Sequence, residues 1–225
     1  MAACCSRVPA ALEERFGARL AQRDLRDYRR KGPGPTTKLL RDGLAAAGGP
    51  GEGLLDIGAG IGPLTFELLE GGVQRAVNVE ASAAYIAAGR EEAALRRRTA
   101  QIEWHHGDYV ELASGLAPAD TVTLDRVVCC YPSFEPLLRE AATHARLRIA
   151  LSYPREVWFV RLVLAVENAL RALAGQAFRT FLHPPPEIER LIRGHGFSLS
   201  VRRETWSWRA DVYSREHGSL RKGSS

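Results

Sequence analysis

The chain has 225 residues and a formal net charge of +5, a length that suits one well-packed α/β domain. No apolar run is long enough to span a membrane, and the first residues lack the basic and apolar segments of a signal peptide. The cysteines form two adjacent pairs, Cys4-Cys5 and Cys129-Cys130, and no Cys/His spacing indicates a metal site. We therefore expect reduced thiols, no metal and a cytoplasmic location.

The positive charge is carried mostly by arginine and does not by itself identify a partner. It is consistent with nucleic acid, with an acidic small substrate, or with an Arg-rich composition alone. Aromatic residues do not alternate with the basic ones as they do on single-strand nucleic-acid platforms, so we do not expect a nucleic-acid substrate. The basic clusters lie at residues 23–31, 96–98, 202–203 and 215–222.

Two helices are predicted before the first strand. Residues 11–30 have helical spacing of their apolar positions, which are Leu12, Phe16, Leu20 and Leu25. A basic turn rich in Gly and Pro follows, and Thr36 or Thr37 can cap a second helix at residues 38–47.

The most informative segment is residues 54–69, which reads LLDIGAGIGPLTFELL. An apolar strand runs into a glycine turn, and an amphipathic helix begins at Pro63. Glycine lets the backbone turn sharply and approach a ligand closely, and a helix N-terminus offers free N–H groups and a positive dipole end. The segment predicts a site for a nucleotide-like ligand.

The spacing of the glycines distinguishes between ligand classes. A dinucleotide fingerprint would have its third glycine at position 63, where this chain has Pro63, and no Gly-Lys-Ser/Thr follows as a P-loop requires. The pattern Asp-x-Gly-x-Gly-x-Gly resembles motif I of the class I S-adenosylmethionine-dependent methyltransferases. This resemblance implies that an acid and the turn backbone hold the aminoacid end and ribose of the cofactor, namely Asp56, Gly58, Ala59, Gly60 and Gly62.

Acidic residues end the next two predicted strands. Glu80 ends the strand at residues 76–80, where a carboxylate can accept both hydroxyls of a ribose. It can also cap the helix at residues 82–98; both roles can hold together, and we favour the ribose role. Asp108 follows the strand at residues 101–105 and would otherwise be an ordinary turn residue. The resemblance implies that Asp108 accepts from the adenine amino group. Residues beside the two acids would complete the cofactor site, namely Ala81, Gly107 and Tyr109.

The fourth strand is predicted at residues 125–130, with Asp125 in a structural turn at its base. Cys129, Cys130 and Tyr131 would then lie at its carboxyl end, where open α/β sheets bind ligands. The resemblance implies that the backbone there contacts the methionine part of the cofactor and that Tyr131 borders the donor methyl, with a catalytic role. Core packing also explains the two cysteine side chains, and we favour it for them.

An insertion follows the fifth strand, which is predicted at residues 147–152. It contains an apolar helix at residues 157–174, a triple proline and a short helix at residues 186–195. His183 lies in it and could act as a general base for an acceptor hydroxyl, although a loop histidine bonded to nearby backbone is the simpler interpretation. Glu167 and Asn168 could line the same pocket or face solvent.

A terminal hairpin is predicted from strands at residues 198–205 and 207–214. It would complete the α/β, Rossmann-like, seven-stranded sheet of class I methyltransferases. We predict an N-terminal helical lid at residues 1–47, a methyltransferase domain at 48–215 with its acceptor-site insertion at about 153–196, and a flexible tail at 216–225. In similar enzymes such a lid covers the cofactor, which makes Tyr28, Arg30 and Lys31 candidate contacts; a solvent-exposed basic helix end is an equal alternative.

The resulting functional prediction is methyl transfer from S-adenosylmethionine to a small-molecule acceptor, on oxygen. The layout loosely resembles magnesium-protoporphyrin and ubiquinone-pathway O-methyltransferases. An already activated methyl needs mainly alignment, which can supply about 7–11 kcal/mol of a barrier. Two alternatives stay open, a protein or RNA methyltransferase and a non-catalytic interaction module that keeps the cofactor fold. The residues predict no oligomeric state.

Overall fold

A computed structural model describes residues 16–215 of the chain. This part contains seven strands and eight helices of at least four residues. The helices are α1 (Ala18–Lys31), α2 (Pro35–Ala46), α3 (Pro63–Glu70), α4 (Ala83–Leu95), α5 (Tyr109–Leu112), α6 (Glu135–His144), α7 (Trp158–Leu173) and α8 (Pro185–Gly194). The strands are β1 (Gly53–Ile57), β2 (Arg75–Glu80), β3 (Ile102–His106), β4 (Ala119–Asp125), β5 (Ala145–Pro154), β6 (Phe197–Glu204) and β7 (Trp208–Arg215).

The strands form one sheet in the order β3-β2-β1-β4-β5-β7-β6. The first five are parallel, whereas β7 runs antiparallel to both β5 and β6. This topology confirms the predicted α/β sheet with its terminal antiparallel hairpin. The order of the strands reverses direction between β1 and β4, and ligands of open α/β sheets bind beyond the carboxyl ends at such a point.

Both faces of the sheet are covered by helices, because successive strand residues point to opposite sides. Leu55 packs in a core that includes Phe134 and Ile188, from the side of α6 and α8. Its neighbour Leu54 packs in a separate core with Leu40 and Phe66, from the side of α2 and α3. Helix α7 packs only loosely on the sheet, since Val160 is the one buried residue among its 16.

Two local predictions are wrong. Asp125 is the last residue of β4, not its base, and residues 128–130 form a 3₁₀ turn instead of continuing the strand. The extended backbone stops because Arg126 adopts a φ of 62°. Helix α2 begins at Pro35, which suits a first helical position, so Thr36 and Thr37 lie inside it rather than capping it.

The remaining predicted elements agree with the structure to within a few residues at their ends, which is the usual scatter of helix and strand boundaries. Residues 11–15 of the first predicted helix and the predicted tail at 216–225 lie outside the described residues. The division into a lid, a methyltransferase domain and an insertion stays a prediction. None of the helices between residues 16 and 215 is long and apolar enough to cross a membrane.

A glycine in α4 provides a test of the packing between α4 and β3. A methyl group at Gly89 would overlap the ring of Trp104 and come within 3.0 Å of the Ile61 carbonyl oxygen. We expect Gly89→Ala to lower the free energy of unfolding by about 1–3 kcal/mol, because the close-packed contact must open. Urea unfolding measures this change. Gly194→Ala is the control, since nothing lies within 4 Å of the added methyl and alanine favours helix; equal stability changes in the two variants would contradict the packing.

Candidate functional site at the carboxyl ends of the strands

The turn after β1 contains three glycines in left-handed conformation, at alternate positions. Gly58, Gly60 and Gly62 have φ values of 63°, 60° and 88°, a region that L side chains avoid. The backbone N–H groups of Gly58 and Ala59 donate to the Val79 carbonyl at 2.8 and 3.2 Å. The turn is thereby bonded to the end of β2, and α3 begins directly after it.

Asp56 lies beneath this turn and is almost fully buried. Its carboxylate oxygens accept from the hydroxyls of Thr123 at 2.6 Å and Thr65 at 2.9 Å. Burial raises the pKa of Asp56 to about 7. Thr65 also lies 2.8 Å from Asn78 Oδ1 but has one hydroxyl proton for both acceptors. A protonated Asp56 can donate to Thr65, which then donates to Asn78 Oδ1. The buried Asn78 Nδ2 keeps no hydrogen-bond partner among the described residues.

Glu80 combines the two roles expected from the sequence. Its Oε2 accepts from the Gly60 N–H at 2.8 Å, and its Oε1 accepts from the Ser82 N–H at 2.9 Å. Ser82 is the N-cap of α4, so the contact with the helix start is present. Glu80 and Ala81 also line the main cavity of the site. The carboxylate is therefore fixed by backbone donors on two sides while it faces the space where a ligand can bind.

Asp108, Tyr131 and His183 form a chain of contacts. Asp108 Oδ1 accepts from the Tyr131 hydroxyl at 2.8 Å and from the Val110 N–H at 2.9 Å. Burial, together with the Asp108 charge, raises the pKa of the Tyr131 phenol well above its usual value. His183 Nε2 donates to the Tyr131 carbonyl at 2.9 Å, and its ring packs on Phe134. Tyr131 lines the cavity, whereas His183 does not.

Two adjoining cavities of about 560 and 490 Å³ open at the carboxyl ends of the strands. The residues that line both are Arg23, Asp24, Gly58, Gly60, Tyr85, Asp125 and Arg126. The larger one continues beneath α7 and the hairpin, where its wall includes Val160, Leu164, Trp206 and Trp208. A further cavity of about 620 Å³, lined by Arg155, Arg190 and Arg202, contains no residue of the glycine turn.

The remaining predicted site residues lie at different depths around these cavities. Cys129 and Cys130 both line the larger cavity, the first buried and the second half-buried. Both are free thiols that donate to the Arg126 carbonyl. Tyr109 lines the same cavity, while its hydroxyl contacts His144 at 2.9 Å. Gly107 and Gly62 line neither cavity, and Ala59 lines the smaller one.

The predicted lid contacts are mostly engaged with other protein groups. The Tyr28 ring stacks on Phe66 and borders the smaller cavity. Arg30 and Lys31 both pair with Asp27, and only Lys31 reaches the lining. Both cations are therefore already paired with a carboxylate of the protein and are not free to bind an anionic ligand.

The sequence analysis missed several residues that line the site. Asp125 accepts from Thr37 at 2.7 Å and from Ser152 at 2.6 Å, and it borders both cavities. Asp24, on α1, accepts from the Tyr85 hydroxyl at 2.6 Å and so ties α1 to α4 above the turn. The alternation of threonine with Val122 and Leu124 could have placed the end of β4 at Asp125. No short pattern in the sequence indicates Asp24.

Comparison with known proteins identifies the domain. Residues 54–147 match the family model of a methyltransferase domain. No curated protein sequence matches the chain. Together with the sheet topology, the domain match confirms the methyltransferase assignment made from motif I.

Solved structures of the same fold share little sequence with this chain. Magnesium protoporphyrin IX methyltransferase from Synechocystis, with bound SAH, is 20% identical with a TM-score of 0.65, over 80% of this chain and 82% of that one. An O-methyltransferase family protein from Burkholderia thailandensis is 16% identical with a TM-score of 0.70, over 92% and 63%. A candidate RNA methyltransferase from Pyrococcus horikoshii is 17% identical with a TM-score of 0.58, over 82% and 83%. These likenesses establish the fold.

The raised pKa of Asp56 predicts a pH-dependent stability. The folded chain holds a proton on Asp56 up to about pH 7, whereas the unfolded chain releases it near the ordinary value of 3.8. The folded state therefore binds more protons within this window, and stability falls as the pH rises through it. We expect the wild-type protein to lose up to about 4 kcal/mol relative to Asp56→Asn between pH 4 and pH 7. Urea unfolding across this pH range measures the free energy of unfolding of both proteins. An equal dependence on pH in the wild type and in Asp56→Asn would contradict the raised pKa of Asp56.

Proposed function

We propose that this chain, which carries a class I methyltransferase domain, transfers the methyl group of S-adenosylmethionine to an oxygen of a small-molecule acceptor. The observation that carries the proposal is the continuity of the larger cavity. It extends from the glycine turn and Glu80 to an apolar chamber beneath α7. Cofactor and acceptor would thus share one continuous space.

The residues at the turn fit the cofactor. Gly58 and Gly60 line both cavities, so that backbone without a Cβ faces the ligand space. In our assignment Glu80 holds the ribose hydroxyls. Asp108 is buried and lines neither cavity, but its Oδ2 has no hydrogen-bond partner within residues 16–215. We assign this oxygen to the adenine amino group, beside Tyr109 and Tyr131 of the cavity wall. The end of β4 holds the methionine part. When bound, the cofactor supplies a sulfonium-activated methyl group.

The chamber beneath α7 favours a small, largely apolar acceptor. Its wall combines aliphatic side chains of α7 with Trp206 and Trp208 of the hairpin, a composition typical of pockets for small molecules. A volume of about 560 Å³ must hold part of the cofactor as well, which leaves room for a compact acceptor.

A protein or RNA acceptor has weaker support. The residues of this chain support it only by their positive charge, and one arginine in each of two basic clusters is paired within the fold. Arg96 pairs with Glu92 and Glu70, and Arg202 pairs with Asp211. The interaction-module alternative is also disfavoured, because an interaction surface does not require three left-handed glycines at alternate positions beside an open cavity.

Catalysis in this proposal rests on alignment of the acceptor oxygen. The Tyr131 phenol stays protonated and donates to Asp108, and His183 donates to the Tyr131 carbonyl from outside the cavity. Both side chains therefore position the wall next to the donor methyl rather than take up a proton. An acceptor that is already ionised, such as a carboxylate, matches this arrangement.

An acceptor panel tests the proposed substrate class. Purified protein with S-adenosylmethionine is offered small aromatic carboxylates, phenols, bulk RNA and a mixture of unfolded proteins, and formation of S-adenosylhomocysteine is measured. We expect saturable turnover with members of the small-molecule set, carboxylates foremost. Turnover confined to RNA or protein would overturn the proposal.

Substitution of Glu80 tests the ribose assignment. We expect Glu80→Gln to weaken binding of S-adenosylhomocysteine about tenfold or more, since a neutral amide replaces a charged acceptor of two hydroxyls. Calorimetric titration measures the affinity, and urea unfolding verifies the fold. Glu103→Gln, on the exposed face of neighbouring β3, is the matched control with wild-type affinity. Equal affinities in both variants would remove Glu80 from the cofactor site.

A further inference from the structure

Arg126 stands out at the carboxyl end of β4 because of its backbone. Its φ of 62° lies in the left-handed region, and among the described residues Arg97 is the one other non-glycine residue there. Glycine would adopt this conformation without the steric cost that an arginine Cβ brings. The Arg126 N–H donates to Ser152 Oγ at 2.9 Å, and the Ser152 hydroxyl donates to Asp125, so the conformation is fixed by neighbours. Such strain is found preferentially at functional sites.

The side chain of Arg126 is exposed and lines both cavities of the site. The other two arginines of the larger cavity are neutralised, since Arg23 pairs with Asp24 and Arg171 pairs with Glu167. The guanidinium of Arg126 forms no ion pair or side-chain hydrogen bond within residues 16–215. Its five donors are therefore available to a ligand.

We propose that Arg126 is a binding residue for a carboxylate in this site, an inference that rests on the proposed function. A guanidinium matches a carboxylate with two parallel hydrogen bonds. A multiply charged anion fits poorly, because Asp24, Glu80 and Asp125 line the same space. The carboxylate belongs either to the aminoacid end of the cofactor or to the acceptor.

The first arm of the test removes the carboxylate from the ligand and the guanidinium from the protein. Wild-type protein and Arg126→Met are titrated with S-adenosylhomocysteine, which has the aminoacid end, and with 5′-methylthioadenosine, which lacks it. If Arg126 binds the cofactor, the variant loses about tenfold or more in affinity for S-adenosylhomocysteine and keeps its affinity for 5′-methylthioadenosine.

The second arm tests the acceptor as the source. Protein saturated with S-adenosylhomocysteine is titrated with 2-naphthoate and with its neutral amide. If Arg126 binds the acceptor, Arg126→Met keeps the wild-type affinity for S-adenosylhomocysteine but loses about tenfold or more for 2-naphthoate and nothing for the amide.

Glycine variants separate ligand binding from folding. Arg126→Gly and Arg97→Gly both relieve a left-handed conformation, so both are expected to unfold at equal or higher temperature than the wild type. Only Arg126→Gly is expected to bind like Arg126→Met, since Arg97 lines neither cavity. A loss of binding in Arg126→Gly without a lower unfolding temperature, and without a loss in Arg97→Gly, would show that the loss is not caused by unfolding.

The proposal fails if Arg126→Met binds S-adenosylhomocysteine and 2-naphthoate as the wild type does. It also fails if the variant weakens 5′-methylthioadenosine equally, which would indicate a general disturbance of the site. Failure of the proposed function gives different results: without a cofactor site the wild-type protein binds neither adenosine compound, and with another acceptor class its turnover in the acceptor panel is confined to RNA or protein.

Discussion

The left-handed glycine turn after β1 is the constraint on which the site depends. Its N–H groups bond to the Val79 carbonyl and to Glu80, so it joins the ends of β1 and β2. A Cβ at Gly58 would overlap Val127, just beyond β4, so the same turn lets the end of β4 approach closely. This packing brings Glu80 at the end of β2 and Asp125 at the end of β4 to one cavity.

The second organising feature is the concentration of acids at this edge of the sheet. Asp56, Glu80 and Asp125 lie near one another, and the latter two charges add to the burial that raises the pKa of Asp56. The chain limits the repulsion by leaving Asp56 neutral and by giving the other two carboxylates hydroxyl and backbone donors. A ligand that carries a sulfonium and an ammonium group would reduce the repulsion further, which agrees with the cofactor class of this fold.

The sequence predicted the sheet and the motif I turn because their signals are local. Glycine spacing, an apolar strand and a proline at a helix start all lie within residues 54–69. Long-range contacts explain the errors. The end of β4 depends on a left-handed Arg126 held by Ser152 of β5, and no local pattern predicts a left-handed arginine. Asp24 joins the site only because Tyr85 bonds to it from α4. For His183 the sequence left open a general base and a loop histidine bonded to backbone; its Nε2 contacts the Tyr131 carbonyl, and its role as a base stays a prediction.

The central claim is that the glycine turn and its surrounding acids bind S-adenosylmethionine rather than another nucleotide. Calorimetric titration of the purified chain with S-adenosylmethionine and, separately, with NAD tests it most directly. The account predicts saturable one-to-one binding of S-adenosylmethionine and no binding of NAD, since Pro63 stands where the dinucleotide fingerprint needs glycine. Binding of NAD, or a folded protein that binds neither compound, would contradict it.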